Sequence, residues 1–389
     1  MQLIAKTLQG LEPVLAGEIE QLKGRNIRIL NRAVLFEGDK ELMYKANYYL
    51  RTALRILKPV GSFTAEDSDR LYQQSKIIPW EKFLHPTDTF YIDSVVQSEY
   101  FKHSKFVSQR VKDAIADRFM EKYGKRPDVS RINPVVRINV HISRNLFNLS
   151  LDSSGDSLHR RGYRKMESLA PLNEVLAAGM VLLSGWDGKQ PLHDPMCGSG
   201  SVVIEAALFA LNIPPGSFRK DFGFQKWNDY DQALFDRIVR EGRNKTMKEL
   251  RITGSDISEE AVSAALQNLK NAGLEKIVNI SVRDFFMHDP VGEPARDHVG
   301  KPGIIIINPP YGERINEPDL EQFYKKTGDK LKNNYTGNIA WVLSANEEAM
   351  KHFGLHSFRK IELYNGPLKC HFYGYNLYAG SIKTKYRQE

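Results

Sequence analysis

The sequence of 389 residues predicts an α/β protein: a doubly wound domain that ends in an antiparallel hairpin, preceded by a smaller α+β module. Three observations support this prediction. Helical and extended segments alternate regularly after about residue 165. Residues 303–307 form an unbroken apolar run, which is typical of a parallel strand covered on both faces. Upstream, helices and strands are mixed in short stretches without that alternation.

The α+β module consists of amphipathic segments whose apolar residues follow either the helix period or the strand period. Apolar side chains recur at helical spacing in residues 11–23, whereas residues 27–36 alternate as a single strand does. In chain order the predicted elements are strand 2–7, helix 11–23, strand 27–36, helix 39–50, mixed helix and loop signals at 63–80, strand 89–96, basic helix 105–123, and strands 135–142 and 145–150.

A domain boundary is predicted at 152–165, where turn-forming residues precede a basic run broken by glycine. Beyond it, helices and strands alternate as a parallel sheet with crossover helices requires. The predicted elements are helix 172–183, strand 192–194, helix 201–211, strand 251–256, helix 259–273, strand 278–282, strand 303–307, helix 319–331, strand 338–343 and a terminal hairpin of 359–364 with 371–378.

Composition excludes several classes of protein. Apolar residues make up 41% and charged residues 26%, as in ordinary globular proteins. No stretch reaches the roughly 18 apolar residues of a membrane helix. Two cysteines, Cys197 and Cys370, are too few for a disulfide framework or a zinc ribbon. Lys6, Glu12 and Glu18 near the start argue against a secretory signal peptide. We expect a cytoplasmic protein that binds neither membrane nor metal.

The positive charge is concentrated in one segment. The chain carries a net charge of +8, and residues 96–165 alone contain fifteen Lys and Arg against seven Asp and Glu. A basic segment of this kind favours a polyanionic partner, because each cation set against a phosphate releases condensed counterions. A solvated basic face without a ligand is the alternative interpretation.

The segment 194–200, with the sequence DPMCGSG, lies between a predicted strand and a predicted helix. Glycines here let the backbone approach a ligand, and the N–H groups of the helix end can bind its anionic part. It lacks the Gly-Lys-Ser/Thr of a phosphate-binding loop, and Val203 occupies the third glycine position of a dinucleotide-binding turn. The ammonium of an amino-acid moiety suits the carboxylate of Asp194.

Two further acids follow the next two predicted strands. Asp256 is placed to accept the hydroxyls of a ribose, and Asp284 to accept an adenine amino group with Phe285 on the ring. Each alone has the simpler interpretation of a helix cap or turn residue. Together, at the ends of three successive strands, they predict a pocket for S-adenosylmethionine.

The segment Asn308-Pro309-Pro310-Tyr311 directly follows the buried strand 303–307. The side-chain oxygen of Asn308 and the carbonyl of Pro309 can accept the two N–H bonds of an exocyclic amino group. This orients the nitrogen lone pair, which is otherwise delocalised into the ring. Pro310 stiffens the turn, and Tyr311 offers a face on which a flipped base can stack. Catalysis is then positioning and charge stabilisation.

The segments 194–200, 254–256, 283–285 and 308–315 resemble those of class I S-adenosylmethionine-dependent amino-methyltransferases with a Rossmann-like fold. The upstream part resembles a THUMP domain preceded by a ferredoxin-like domain. The junction 158–164 (LHRRGYR) and the segment 170–174 (APLNE) are similar to those of THUMP-containing guanine-N2 RNA methyltransferases. An insert at 212–227 and the sequence NGPL at 365–368 fit the bacterial branch that acts on large-subunit ribosomal RNA.

The resemblance implies three domains and a set of site residues. The domains are a ferredoxin-like domain at 1–58, a THUMP RNA-binding domain at 59–157 and a methyltransferase domain at 158–389. The catalytic residues are Asn308, Pro309, Pro310 and Tyr311. The S-adenosylmethionine-binding residues are Asp194, Met196, Cys197, Gly198, Gly200, Asp256, Ile257, Asp284, Phe285 and Asn308. From the basic segment 96–165, the predicted RNA-binding residues are Lys102, Lys105, Arg110, Arg126, Arg160, Arg161 and Arg164.

Alternatives stay open at this stage. Transfer RNA is a second substrate candidate, and an RNA-binding protein with an inactive methyltransferase domain is a third interpretation. DNA adenine and protein glutamine methyltransferases share the Asn-Pro-Pro-Tyr motif. The THUMP resemblance disfavours DNA, and the basic segment disfavours a protein substrate. A nucleotide-dependent oxidoreductase is disfavoured by the missing third glycine.

Overall fold

The computed structural model describes residues 1–164, 172–242, 249–288, 301–309 and 317–378. The chain divides into two units. The first comprises residues 1–7, 15–158 and 219–241. The second comprises residues 8–14 and 159–218 and the described part of 242–389. The three domain boundaries drawn from the sequence stay a prediction.

One continuous mixed sheet forms the centre of the first unit, in the order β2-β3-β1-β4-β8-β7-β5-β6. Pairing is antiparallel from β2 to β7, and β5 runs parallel to both β7 and β6. Its strands are β1 (Gln2–Lys6), β2 (Arg25–Leu30), β3 (Ala33–Glu37), β4 (Arg55–Thr64), β5 (Thr89–Gln97), β6 (Asp128–Val129), β7 (Val136–Ser143) and β8 (Leu146–Asp152).

The second unit contains a sheet in the order β11-β10-β9-β12-β13-β15-β14. The first five strands are parallel, and the last two form an antiparallel hairpin on β13. The predicted doubly wound α/β domain with a C-terminal hairpin is therefore confirmed. Its strands are β9 (Leu192–Asp194), β10 (Ile252–Asp256), β11 (Val278–Val282), β12 (Ile304–Ile307), β13 (Ile339–Ser344), β14 (Arg359–Asn365) and β15 (Leu368–Asn376).

Several helices begin at a polar side chain that caps them; for example, the Asp39 side chain accepts the backbone N–H of Leu42 at 2.8 Å. Short 3₁₀ turns span Trp80–Lys82, Pro215–Phe218 and Gly223–Lys226. The α-helices are α1 (Glu12–Gln21), α2 (Lys40–Tyr49), α3 (Ser68–Ile77), α4 (Ser104–Tyr123), α5 (Glu174–Leu183), α6 (Ser201–Ala210), α7 (Gln232–Gly242), α8 (Glu259–Ala272), α9 (Glu317–Asn334) and α10 (Glu347–Met350). Within the described ranges, no helix is both long and apolar enough to cross a membrane.

One prediction for the first unit was wrong, and one of its strands was missed. The single strand predicted at 27–36 is a hairpin of β2 and β3, whose turn places Arg32 at a φ of 55°. Alternation continues across a two-residue turn, so the pattern alone did not show it. Strand β4 was missed because Pro59 and Gly61 interrupt its alternation at a bulge, although β4 pairs with both β1 and β8.

Part of the segment that follows α6 in the chain folds with the first unit rather than with the second. Residues 219–241 belong to the first unit, where Phe222, Phe224 and Phe235 enter its apolar core. The ring of Phe224 stacks on that of Tyr44 with centroids 4.2 Å apart. Part of the predicted insert at 212–227 therefore completes the core of the first unit.

Candidate cofactor and catalytic site

The strand order of the second unit creates a crevice at the carboxyl ends of β9 and β12. The chain leaves β9 toward β10 on one side of the sheet, and β12 later pairs with β9 on the other. Gly254 of β10 lies opposite Asp194, the last residue of β9. Open α/β sheets bind ligands at such a switch point. Asp194, Asp256 and Asn308 all lie at this edge of the sheet.

The loop between β9 and α6 requires glycine at two positions. Gly198 and Gly200 have φ values of 52° and 82°, in the left-handed region that other residues avoid. Gly200 is the N-cap of α6 and provides no side-chain cap. A Cβ at Gly198 would meet nothing within 4 Å, so open space lies above this residue. The loop thus leaves open space at Gly198, two residues before the N-cap of a helix whose first N–H groups have no side-chain cap.

Asp256 holds this loop against the end of β10. Its Oδ2 accepts the backbone N–H of Gly198 at 2.9 Å, and its Oδ1 accepts that of Ser258 at 3.0 Å. The N–H of Cys197 also donates to the carbonyl of Ser255 at 2.8 Å. Each carboxylate oxygen can accept a second bond. Asp256 can therefore hold the loop and still accept from a ligand hydroxyl.

Asp194 is a buried carboxyl beneath the loop. Its Oδ1 accepts the backbone N–H of Met196 at 3.2 Å. Burial above all, together with the negative charge of Asp256, raises the pKa of Asp194 to about 8. Such a group lacks a counter-charge, and a ligand ammonium beside it would favour its ionised form.

Asp284 and Phe285 follow β11 but have different roles. Asp284 accepts the backbone N–H of Phe286 at 2.7 Å. The ring of Phe285 is buried against Tyr335, with centroids 5.8 Å apart. The expected stacking of Phe285 on a ligand ring needs correction, because the apolar core already covers this side chain.

Exposed apolar side chains lie beside the acids instead. Ile257, directly after Asp256, is 69% exposed, and Val282 at the end of β11 is also exposed. An exposed isoleucine at a sheet edge offers an apolar face to a planar ring. The sequence analysis identified Ile257 but missed Val282. Val282 is the last residue of a predicted strand, and the sequence pattern there does not indicate that its side chain is exposed.

Asn308 carries an unpaired buried acceptor. It directly follows β12, and its buried Oδ1 has no hydrogen-bond partner among the residues that the structure describes. Leaving a buried polar atom unsatisfied costs about 1–3 kcal/mol. Pro309 beside it is buried. The predicted catalytic residues Pro310 and Tyr311 lie outside the described residues.

The predicted RNA-binding residues divide into two groups. Lys102, Lys105 and Arg126 are exposed on the first unit, and Arg160 is exposed at the start of the second. Arg110 is partly committed, since its guanidinium pairs with Asp69 at 2.9 Å and lies over the ring of Tyr72.

Two of the predicted RNA contacts lie inside the second unit. Arg161 is 1% exposed and faces the carboxylate of Glu205 at 3.3 Å. Glu205 is fully buried within the apolar helix α6, so it needs a buried counter-charge. The assignment of Arg161 to an RNA phosphate was wrong for this reason. Arg164 donates to the Ser201 Oγ at 2.6 Å and to the Leu172 carbonyl at 2.9 Å.

The described residues contain no group of three or more His, Cys, Asp or Glu placed to hold a metal ion. Cys197 and Cys370 are buried free thiols.

Comparison with known protein families identifies three regions of the chain. The profile of the RMKL-like methyltransferase domain matches residues 161–373. The THUMP domain profile matches residues 65–152, and the profile of the RlmL ferredoxin-like domain matches residues 2–57. The predicted kinds of domain, and their order along the chain, are confirmed.

Two curated proteins are similar over nearly the whole chain. The ribosomal RNA large subunit methyltransferase K/L of Syntrophotalea carbinolica is 36% identical, and the match covers 97% of this chain and 54% of that protein. The Synechocystis protein slr0064, which carries a provisional RNA methyltransferase name, is 36% identical with 96% of each chain covered. The chain thus spans about half the length of the large-subunit methyltransferases that it matches.

A solved structure shares the fold over its full length. The crystal structure of SMU.472, provisionally named a methyltransferase and complexed with SAH, superposes with a TM-score of 0.86 and 28% sequence identity. The superposition covers 98% of this chain and 99% of that one.

Proposed function

Because this chain belongs to the RMKL-like methyltransferase family, we propose that it transfers a methyl group from S-adenosylmethionine to the N2 of a guanine in RNA. The RNA proposed is large-subunit ribosomal RNA. The observation that carries the proposal is the unpaired, buried Oδ1 of Asn308 at the switch point of the sheet.

The residues at the crevice fit the cofactor. The loop leaves open space at Gly198, two residues before the N-cap of α6, and the first-turn N–H groups of α6, which no side chain caps, suit a carboxylate. The buried carboxyl of Asp194 suits the ammonium of the same amino-acid moiety. Asp256 would hold the ribose hydroxyls, and Ile257 and Asp284 the adenine. Bound S-adenosylmethionine supplies an electrophilic methyl group on a sulfonium centre.

The chain's own contribution to the reaction is orientation of the guanine amino group. The Oδ1 of Asn308 accepts one of its N–H bonds, and the carbonyl of Pro309 accepts the other. Both acceptors bias the nitrogen toward tetrahedral geometry, so its lone pair points out of the ring plane. As the methyl–nitrogen bond forms and the methyl–sulfur bond breaks, positive charge would grow on this nitrogen and both hydrogen bonds would strengthen. One N–H proton would then pass to solvent, which leaves the neutral methylated amine.

The substrate class rests on three supports. The THUMP profile covers residues 65–152, which include the exposed cations Lys102, Lys105 and Arg126. A similar protein from Syntrophotalea carbinolica is named for large-subunit ribosomal RNA. Base-modifying enzymes take the target out of its stack, and a pocket at a sheet edge can receive it. A cytoplasmic location follows from such a substrate and accords with two free thiols.

Nucleoside mass spectrometry tests the proposal. The full chain is incubated with labelled S-adenosylmethionine and, separately, with deproteinised large-subunit ribosomal RNA, small-subunit ribosomal RNA and transfer RNA. We expect N2-methylguanosine in the large-subunit RNA alone, formed roughly a hundred- to a thousandfold more slowly with Asn308→Ala. N2-methylguanosine in transfer RNA alone would show that transfer RNA, and not large-subunit ribosomal RNA, is the substrate. Methylated adenosine, or no methylated nucleoside in any RNA, would contradict guanine-N2 transfer.

A further inference from the structure

The basic junction before the methyltransferase region contains an arginine that serves the cofactor loop. Arg164 is 12% exposed. One of its terminal nitrogens, Nη2, donates to the Ser201 Oγ at 2.6 Å and to the carbonyl of Leu172 at 2.9 Å. The other, Nη1, lies 3.4 Å from the carboxylate of Glu174. These three partners leave the side chain turned into the second unit.

Ser201 is the first residue of α6 and directly follows Gly200 of the cofactor loop. Its hydroxyl oxygen accepts from Arg164, and its proton is directed to the carbonyl of Leu172 at 3.4 Å. Because Gly200 is the N-cap, Ser201 stands at the first helical position, where a serine hydroxyl without another partner can bond neighbouring backbone groups of the first turn. The hydrogen bond from Arg164 therefore engages the Ser201 hydroxyl, which would otherwise compete with a ligand for the N–H groups of the first turn.

The first turn of α6 has no other side chain in its sequence that would compete with a ligand for its N–H groups. Gly200 supplies no side-chain cap, and the first turn of α6 has no acidic residue. The first-turn N–H groups are thus kept available for an anion from outside the helix. Leu172 and Glu174 stand at the start of α5, so Arg164 also ties the beginnings of α5 and α6 together.

We propose that Arg164 is a positioning residue that holds the Ser201 hydroxyl away from the first turn of α6 and so keeps that turn open to the carboxylate of the cofactor. The inference rests on the proposed cofactor. It replaces the expected contact of Arg164 with an RNA phosphate.

Calorimetric binding of two ligands tests the proposal without relying on turnover. S-adenosylhomocysteine carries the amino-acid moiety, and methylthioadenosine lacks it. We expect Arg164→Met to weaken S-adenosylhomocysteine binding roughly tenfold, as for loss of a hydrogen bond to a charged group, and to leave methylthioadenosine binding unchanged. Arg164→Lys should lie between wild type and Arg164→Met. Arg359→Met, at an exposed arginine of β14, is the matched control and should bind as wild type.

A second background isolates the hydroxyl. In Ser201→Ala no hydroxyl competes for the first turn, so Arg164→Met should cost much less affinity there than in the wild-type chain. An equal cost in both backgrounds would overturn the proposal, as would equal losses for the two ligands or an unchanged affinity for S-adenosylhomocysteine. If the wild-type chain bound neither ligand, the proposed function itself would fail.

Discussion

The carboxylate of Asp256 accepts the backbone N–H of Gly198 at 2.9 Å, which joins the end of one strand to the loop that follows its neighbour. The same carboxylate accepts the N–H of Ser258 at the start of α8. Asp256 thus fixes the conformation of the loop. The residue that we propose to bind the ribose therefore also shapes the pocket. Binding and loop geometry are coupled here.

The first prediction concerns that coupling. Asp256→Ala removes the ribose acceptor and the support of Gly198, so we expect cofactor affinity to fall by roughly 1–3 kcal/mol. Asp256→Asn keeps an oxygen acceptor for Gly198 and should lose less. Calorimetry with S-adenosylhomocysteine measures both variants. Unchanged affinity in a folded Asp256→Ala protein would remove Asp256 from the site.

The second prediction concerns the transfer step. Asn308→Ala should lower single-turnover methyl transfer by roughly a hundred- to a thousandfold, by analogy with removal of one preorganised hydrogen-bonding group. Cofactor and RNA should both still bind, since Asn308 acts on the amino group rather than anchoring either ligand. Asn308→Asp keeps an acceptor and tests whether acceptance alone suffices. Near-normal turnover in Asn308→Ala would end the orientation mechanism.

The third prediction concerns pH and the buried carboxyl of Asp194. Burial raises its pKa from 3.8 to about 8, so the folded chain retains a proton that the unfolded chain loses between these values. Folding stability from this group is therefore full below the lower value and declines as pH rises through the upper one. Asp194→Asn replaces the titrating carboxyl with an amide, so this pH-dependent loss of folding stability should disappear.

Urea unfolding of the ligand-free chain measures this effect. The stability of Asp194→Asn relative to wild type should increase between about pH 5 and pH 8, in line with the linkage of pKa to stability. Its affinity for S-adenosylhomocysteine should fall, because the counter-charge for the ammonium is gone. A constant difference between the two proteins across this range would show that Asp194 is ionised throughout.

The fourth prediction concerns RNA binding. The triple variant Lys102→Gln, Lys105→Gln and Arg126→Gln should flatten the salt dependence of RNA affinity, because each lost phosphate contact lowers the slope by roughly 0.7 to 0.9. Cofactor affinity should not change. The matched control neutralises three exposed lysines of the second unit, Lys276, Lys325 and Lys326. Equal slopes for both triples would place the RNA surface elsewhere.

Local spacing was enough for most elements of the second unit. The apolar run of β12 and the capped helix α8 follow directly from their residues. The strand ends also placed Asp194, Asp256 and Asn308 at one edge, because parallel strands share the direction of their carboxyl ends. Strand β4 could not be predicted in this way, because a bulge at Pro59 interrupts the alternation of apolar and polar residues on which strand prediction depends.

The sequence by itself determined the α/β fold class, the chemistry of the loop and the motif after β12, because these depend on neighbouring residues and on the period of a strand or helix. The kinds of domain followed from the resemblance to a known family. Only the tertiary structure decided which cations face solvent. Arg161 and Arg160 are adjacent in a basic run, yet Arg161 is buried against Glu205, 44 residues away in the chain. Burial of a charge depends on a distant partner that compensates for lost hydration, and no local pattern of residues contains that partner.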